Sequence, residues 1–166
     1  MLRMSKLADY GTVVMTAMAR APERMQRAGD VANATGLALP TVSKLLKALA
    51  RKGLLVSLRG AKGGYMLGRA PREISVAQII EAIEGHIGMT ECSGSPGLCA
   101  RESGCSVRAN WQKINHMVLR ALQQISLEHM TQPIAEIVGL SAINAPATRS
   151  RTTAASLADR PDGAQT

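Results

Sequence analysis

The chain has no phenylalanine, one tryptophan and two tyrosines among 166 residues, so aromatic side chains make up only 2% of it. Modules that grip single-stranded nucleic acid stack bases on aromatic platforms, and Tyr10, Tyr65 and Trp111 are too few to build one. Recognition of a duplex through grooves and phosphates stays open. No stretch approaches the roughly 18 consecutive apolar residues of a membrane span, and the N-terminus lacks the basic, apolar, small-residue order of a signal peptide. A cytoplasmic protein with no membrane partner is the expectation. A Walker loop, a G-x-S-x-G elbow and a histidine–carboxylate constellation are also missing, so no enzyme is expected.

Acidic residues are scarce where basic ones gather. The first 70 residues hold twelve Lys or Arg against Asp9, Glu23 and Asp30, a local balance of +9 in a chain whose total is +8. Residues 71 to 130 sum to −1 and the remainder to zero. Positive charge confined to one half is the footprint of a polyanion-binding module.

Residues 7 to 20 place Leu7, Tyr10, Val14 and Met18 on one face at helical spacing, and Pro22 ends the run, which predicts an amphipathic first helix. A shorter helix over Asp30 to Thr35 leaves through Gly36, which suits a left-handed exit, and Leu37-Ala38-Leu39 leads into Pro40 as the first residue of the next helix. That helix runs to about Lys52, with Val42, Leu45, Leu46 and Leu49 as its buried stripe and Thr41, Ser43, Lys44, Lys47 and Arg51 facing outward. A short helix, a tight turn and a second helix with a basic outer face form the helix-turn-helix pattern; an ordinary helical hairpin with a solvated face is the alternative.

The residues that follow favour the first reading. LLVSL at 54–58 and GYMLG at 64–68 flank RGAKGG, whose glycines permit positive φ, giving a β-hairpin with a cationic tip. Such a hairpin after a recognition helix is a wing, and Arg59 and Lys62 on it reach phosphates or a minor groove. After Pro71, a helix capped by Ser75 and ended by Gly85 buries Val76, Ile79, Ile80 and Ile83 and closes the unit. The expected fold class is mainly α with a small β-hairpin wing: a winged helix-turn-helix domain over residues 1–86, followed by a long dimerisation helix.

Residues 87–105 are rich in glycine and poor in apolar side chains, so they form a loop that something other than a core must order. From Ser106 to about Leu127, apolar residues recur at Val107, Trp111, Ile114, Val118, Leu122 and Ile125, the seam of a helix about 30 Å long. With no second long helix in the chain to cover the seam, its natural partner is the same helix of a second copy; packing on the winged domain is the alternative. Residues 106–138 are therefore assigned as a dimerisation helix with a C-terminal cap. Residues 139–166, rich in Ala, Ser, Thr, Pro and Gly, are read as a disordered tail with no assigned function.

Cys92, Cys99 and Cys105 stand in the glycine-rich loop with six and then five residues between them. Structural zinc sites show a close C-x2-C pair, which is absent here. Soft thiolates on a flexible loop suit an iron–sulfur cluster, whose size tolerates wider spacing, whereas three inert core thiols would need more apolar surroundings.

At this point the chain resembles the IscR/NsrR-type winged-helix regulators that carry an iron–sulfur cluster. The likeness extends from residue 2 to about 130 and rests on LRMSKLADYG, LPTVSKLLKALARKGLL, RGAKGGYMLGR, ISVAQIIEAIEG and the three cysteines before the long helix. Within that family, MSKLADYGTVV, LPTVSKLLKALARKGLL and TECSG look most like the regulator of the SUF cluster-assembly system. The resemblance implies a homodimer on a palindromic double-stranded operator, and the expected function is a cytoplasmic transcription regulator, activator or repressor, that senses cluster supply or damage. It places Pro40, Thr41, Ser43 and Lys44 at the groove-facing start of the recognition helix, with Lys47 further along it, and matches Arg59 to the family's wing arginine. It also implies an iron–sulfur cluster, 2Fe–2S in preference to 4Fe–4S, on Cys92, Cys99 and Cys105.

One departure concerns the fourth ligand. IscR-type proteins place a histidine three residues after the last cysteine, where this chain has Arg108. His116, eleven residues past Cys105, stands about 16 Å away on a continuous helix and is read as a polar interface residue. By resemblance to NsrR-like members, Asp9 on the first helix of a second copy is the candidate ligand; Glu91 and Glu102 are rivals, and Asp9 as a mere helix cap or solvated residue is the alternative. Other functions compatible with the sequence are a nitric oxide or redox-sensing repressor of the same fold, and a cluster-free protein-interaction module.

Overall fold

A computed structural model describes residues 4–60, 63–94, 97 and 99–132. The tail expected over 139–166 lies outside the described residues. In chain order the elements are α1 (Lys6–Ala19), α2 (Ala28–Thr35), α3 (Leu39–Arg51), β1 (Leu55–Leu58), β2 (Gly64–Leu67), α4 (Val76–Glu84), α5 (Glu91–Gly94), α6 (Arg108–Gln124) and α7 (Leu127–Thr131), with single 3-10 turns at Pro71–Glu73 and Glu102–Gly104. The chain is mainly α with a small hairpin wing, as the patterning predicts.

Ser5 caps α1 by accepting a hydrogen bond from the Ala8 N–H at 3.2 Å. Its buried face is wider than the expected stripe. Ala8, Gly11, Met15 and Ala19 are buried with Val14 and Met18, whereas Leu7 points outward beside Val13 and Tyr10 is half-buried. The cause is a close crossing with α4: a Cβ at Gly11 would overlap Ile83 Cδ1. Small residues let two helices approach, so they carry a buried face that a stripe of large side chains does not mark.

α2 begins at Ala28, two residues before the expected start, because the Asp30 carboxylate accepts from the Arg27 N–H at 3.1 Å and ties the N-cap backbone to the first turn. Gly36 ends α2 in the left-handed conformation at φ 70°. Pro40 sits second in α3 behind Leu39, still within the first turn, where its missing N–H costs nothing. Val42, Leu45, Leu46 and Leu49 are buried as expected.

The wing pairs antiparallel, Leu55 opposite Leu67 and Ser57 opposite Tyr65. A third segment, absent from the sequence reading, anchors it: Gln26 bridges the free edge of β2 through two backbone hydrogen bonds with Tyr65, both 2.8 Å. Ser75 and Gln78 form the capping box of α4, whose Val76, Ile79 and Ile80 are buried and whose Ile83 is half-buried over Gly11.

The long helix stops at Gln124, short of the expected Leu127. Ser126 caps a new helix, α7, in a box with His129, and the turn is pinned by hydrogen bonds from Val76 N–H to Ile125 O (2.9 Å) and from Leu127 N–H to Ile74 O (2.7 Å). Leu127 thereby enters the same core as Met15 and Leu46. A smaller cluster of Ala8, Val76 and Ile80, with Ile87, Leu122 and Ile125 against it, ties the end of α6 to the winged unit. Among the described residues no helix is long and apolar enough to cross a membrane.

Candidate nucleic-acid interface and metal centre

With its apolar stripe turned into the core, α3 presents its other face outward beside the wing. Pro40, Lys44 and Lys47 are exposed there, Thr41 and Ser43 half-buried. Two adjoining depressions run between α3 and the hairpin. One, of about 590 Å³, is lined by Lys44, Lys47, Ala50, Arg51, Ser57 and Tyr65. The other, of about 440 Å³, shares Lys47, Ser57 and Tyr65 and adds Arg27 and the exposed Arg59 at the wing's edge. Among the described residues neither has an acidic side chain in its lining. A continuous cationic trough at a recognition helix suits phosphate contact from both sides of a groove. Lys62 lies outside the described residues.

Arg27 and Tyr65 are members of this trough that the sequence reading missed. Both arrive through the Gln26–Tyr65 bridge, which draws the segment before α2 against β2. The available signal was the cluster Arg20, Arg24 and Arg27 ahead of a short helix, but only the bridge says which of them meets the wing.

The cysteine segment is built differently. Cys92, Cys99 and Cys105 are free thiols, each half-buried. Cys92 lies on α5, Cys99 in the irregular stretch after it, and Cys105 just beyond the second 3-10 turn. The Thr90 hydroxyl is 3.3 Å from Cys92 Sγ and 2.9 Å from the Ser93 hydroxyl. Ser93 N–H donates to Thr90 O at 3.0 Å, closing the turn that carries Cys92. As a donor set, three reduced thiols with a hydroxyl beside one sulfur fit a soft-metal or iron–sulfur group. Among the described residues, however, no three Cys, His, Asp or Glu side chains stand close enough to hold one ion. The described residues of one chain therefore supply donors rather than an assembled cage.

Asp9 is exposed in the first turn of α1, where Ser5 and not Asp9 provides the cap. Arg108, in place of the family histidine, is half-buried at the start of α6, and His116 is exposed. Glu91 is exposed; the side chain of Glu102 lies outside what is described.

Beyond the cysteines, α6 carries an exposed apolar seam. Val107, Trp111, Ile114, Met117 and Val118 are all exposed, Trp111 at 37% and Ile114 at 40%, while Leu122 and Ile125 are half-buried against the winged unit.

A cationic winged helix-turn-helix joined to a thiol-bearing segment defines a class of DNA-binding regulator, and comparison with known proteins agrees. The chain belongs to the Rrf2 family, described as iron-dependent transcriptional regulators, whose model matches residues 4–133. It is 30% identical over 140 residues to the HTH-type transcriptional regulator IscR of Photorhabdus laumondii, covering 81% of this chain and 85% of that one. It is 32% identical to IscR of Aliivibrio salmonicida, over 74% of each chain. Among solved structures it resembles CymR, the global cysteine regulator of B. subtilis, with 29% identity, a TM-score of 0.61 and coverage of 79% and 97%. T. potens IscR superposes with a TM-score of 0.60 at 26% identity, covering 87% and 93%. The protein is thus an IscR/Rrf2-type transcription regulator that binds DNA, and not an enzyme.

Proposed function

We propose that the protein is an iron–sulfur-cluster-sensing regulator that binds a palindromic operator as a cytoplasmic homodimer and controls genes for SUF-type cluster assembly. The observation that carries this reading is the pairing of a coreless segment bearing three free thiols with the cationic winged unit to which it is attached. Cys92, Cys99 and Cys105 would hold the iron, with Asp9 of a second copy as the remaining ligand and 2Fe–2S preferred over 4Fe–4S. When bound, the cluster supplies a redox-active centre whose oxidation or loss is the signal.

The chain's own residues supply the rest. A carboxylate is harder than a thiolate, so the Asp9 corner is the labile one. Asp9 rides on α1, and α1 packs on α4 and α7, so freeing that carboxylate alters how two winged units are held relative to each other. Pro40, Thr41, Ser43, Lys44 and Lys47 face the major groove, with Arg59 and Lys62 beside the minor groove. The apolar seam of α6 meets its copy in the dimer. Anaerobic purification followed by absorption and Mössbauer spectroscopy tests the reading: iron and sulfide in the freshly isolated dimer support it, and protein that takes up neither overturns it.

A further inference from the structure

α6 has one buried residue, and that residue is polar. Asn115 is only 6% exposed on a helix whose apolar side chains largely face solvent. Its amide is spent entirely on the chain around Cys92. Asn115 Oδ1 accepts from the Met89 N–H at 3.0 Å, and Nδ2 donates to Ile87 O at 3.2 Å and to Ser93 O at 3.5 Å. These three backbone groups lie on both sides of Cys92, and the Thr90–Ser93 turn between them places a hydroxyl 3.3 Å from the Cys92 sulfur. We infer that Asn115 is a positioning residue that clamps the Cys92 turn to α6 and so holds the first thiolate in place for the iron.

The segment has no apolar core to do this. A buried amide that satisfies three backbone groups is costly to remove, because each group left without a partner is desolvated and unpaired. The clamp also explains why a polar residue interrupts the inner face of α6, where Arg108, Leu119 and Leu122 are half-buried on the same side. Among the described residues, the hydrogen bonds of Asn115 go to the Cys92 turn and none reaches Cys99 or Cys105.

The inference rests on the ligand reading above, and its test separates the two. Full-length parent, Asn115→Ala and Asn115→Asp are compared by backbone hydrogen exchange over residues 87–93, by iodoacetamide alkylation of each cysteine in iron-free protein, and by cluster lifetime in air after anaerobic reconstitution. Asn115→Ala should raise exchange at Met89 and alkylation of Cys92 about tenfold while Cys99 and Cys105 react as before, and should shorten cluster lifetime. Asn115→Asp keeps the acceptor for the Met89 N–H but leaves the Ile87 and Ser93 carbonyls without a donor, so its protection at Met89 should fall between that of the parent and that of Asn115→Ala. Unchanged Cys92 alkylation overturns the clamp. A loosened Cys92 with an unchanged cluster lifetime overturns its role toward the iron. A parent that binds no cluster overturns the ligand reading, whereas the alkylation ratios still decide whether Asn115 holds the turn.

Discussion

The winged unit and the segment from Ile87 to Val118 are held together by different physics. In the first, α1 to α4, the hairpin and α7 enclose fully buried Met15, Met18, Leu45, Leu46, Leu49, Ile79 and Leu127. In the second, side-chain order comes from one buried amide, a Thr–Ser turn and short helical pieces, while the large apolar residues of α6 stay outside. Among the described residues, the winged unit encloses its own core. The segment after it presents half-buried thiols and an apolar seam that the other described residues leave exposed. A regulator needs this division: a rigid reader that keeps its shape, and a sensor segment whose order depends on what it binds.

The largest effect that sharpens this contrast is on folding. Leu46→Ala should destabilise the protein by about 2–5 kcal/mol, since a fully buried leucine leaves a cavity. Val118→Ala removes a similar apolar group from an exposed site and should change the stability of the isolated chain by less than about 0.5 kcal/mol. Urea titration of both variants, at concentrations low enough to keep the chain monomeric, measures the difference. Equal losses would mean that the segment after Ile87 shares the core after all.

Next in size is association. Ile114→Glu puts like charges across a symmetric contact at the middle of the seam, and sedimentation should show monomers that bind a palindromic operator poorly while retaining the far-UV circular dichroism of the parent. An intact dimer would move the interface elsewhere. A smaller change should follow from Asp9→Ala. Because Asp9 is exposed and Ser5 does the capping, folding should be unaffected, whereas cluster lifetime in air should fall several-fold. The same spectrum and lifetime as the parent would turn attention to Glu91 and Glu102.

Legibility in the sequence follows the same boundary. Stripes such as Val42, Leu45, Leu46 and Leu49, and stop signals such as Gly36 and Gly85, encode local decisions, and α2, α3, the hairpin and α4 appear where those signals place them. Errors arose where a long-range contact decides. Leu7 has helical spacing with Val14 but faces outward, because the approach to α4 runs through Gly11. The long helix is expected to run to about Leu127, yet the Ser126 cap and the Ile74 hydrogen bond end it early and turn Leu127 into the core. The Gln26 bridge has no sequence signature, since any residue with a free N–H and C=O can make it. At the candidate metal centre the donors were legible as residue types, but Asn115 was not, because a lone asparagine on a long helix looks like any solvated residue until its partners at 87, 89 and 93 are known.

The last prediction concerns the reader itself, where the trough contains two kinds of cation. Lys44 is an exposed ammonium near the start of α3, a mobile point charge suited to neutralising a phosphate. Arg59 stands at the wing's edge, where a planar guanidinium can engage base edges or a narrow minor groove as well as the backbone. Lys44→Ala should therefore weaken binding to operator and to unrelated duplex by similar factors and reduce the slope of log affinity against log salt by about one. Arg59→Ala should lower the salt slope by a similar amount but should cost operator affinity about 1–3 kcal/mol more than it costs non-specific binding. Fluorescence anisotropy with both duplexes across a salt series distinguishes them. If both variants lose operator and random affinity in equal proportion, the wing contributes charge alone, and discrimination among sequences falls to the Pro40–Ser43 turn of α3.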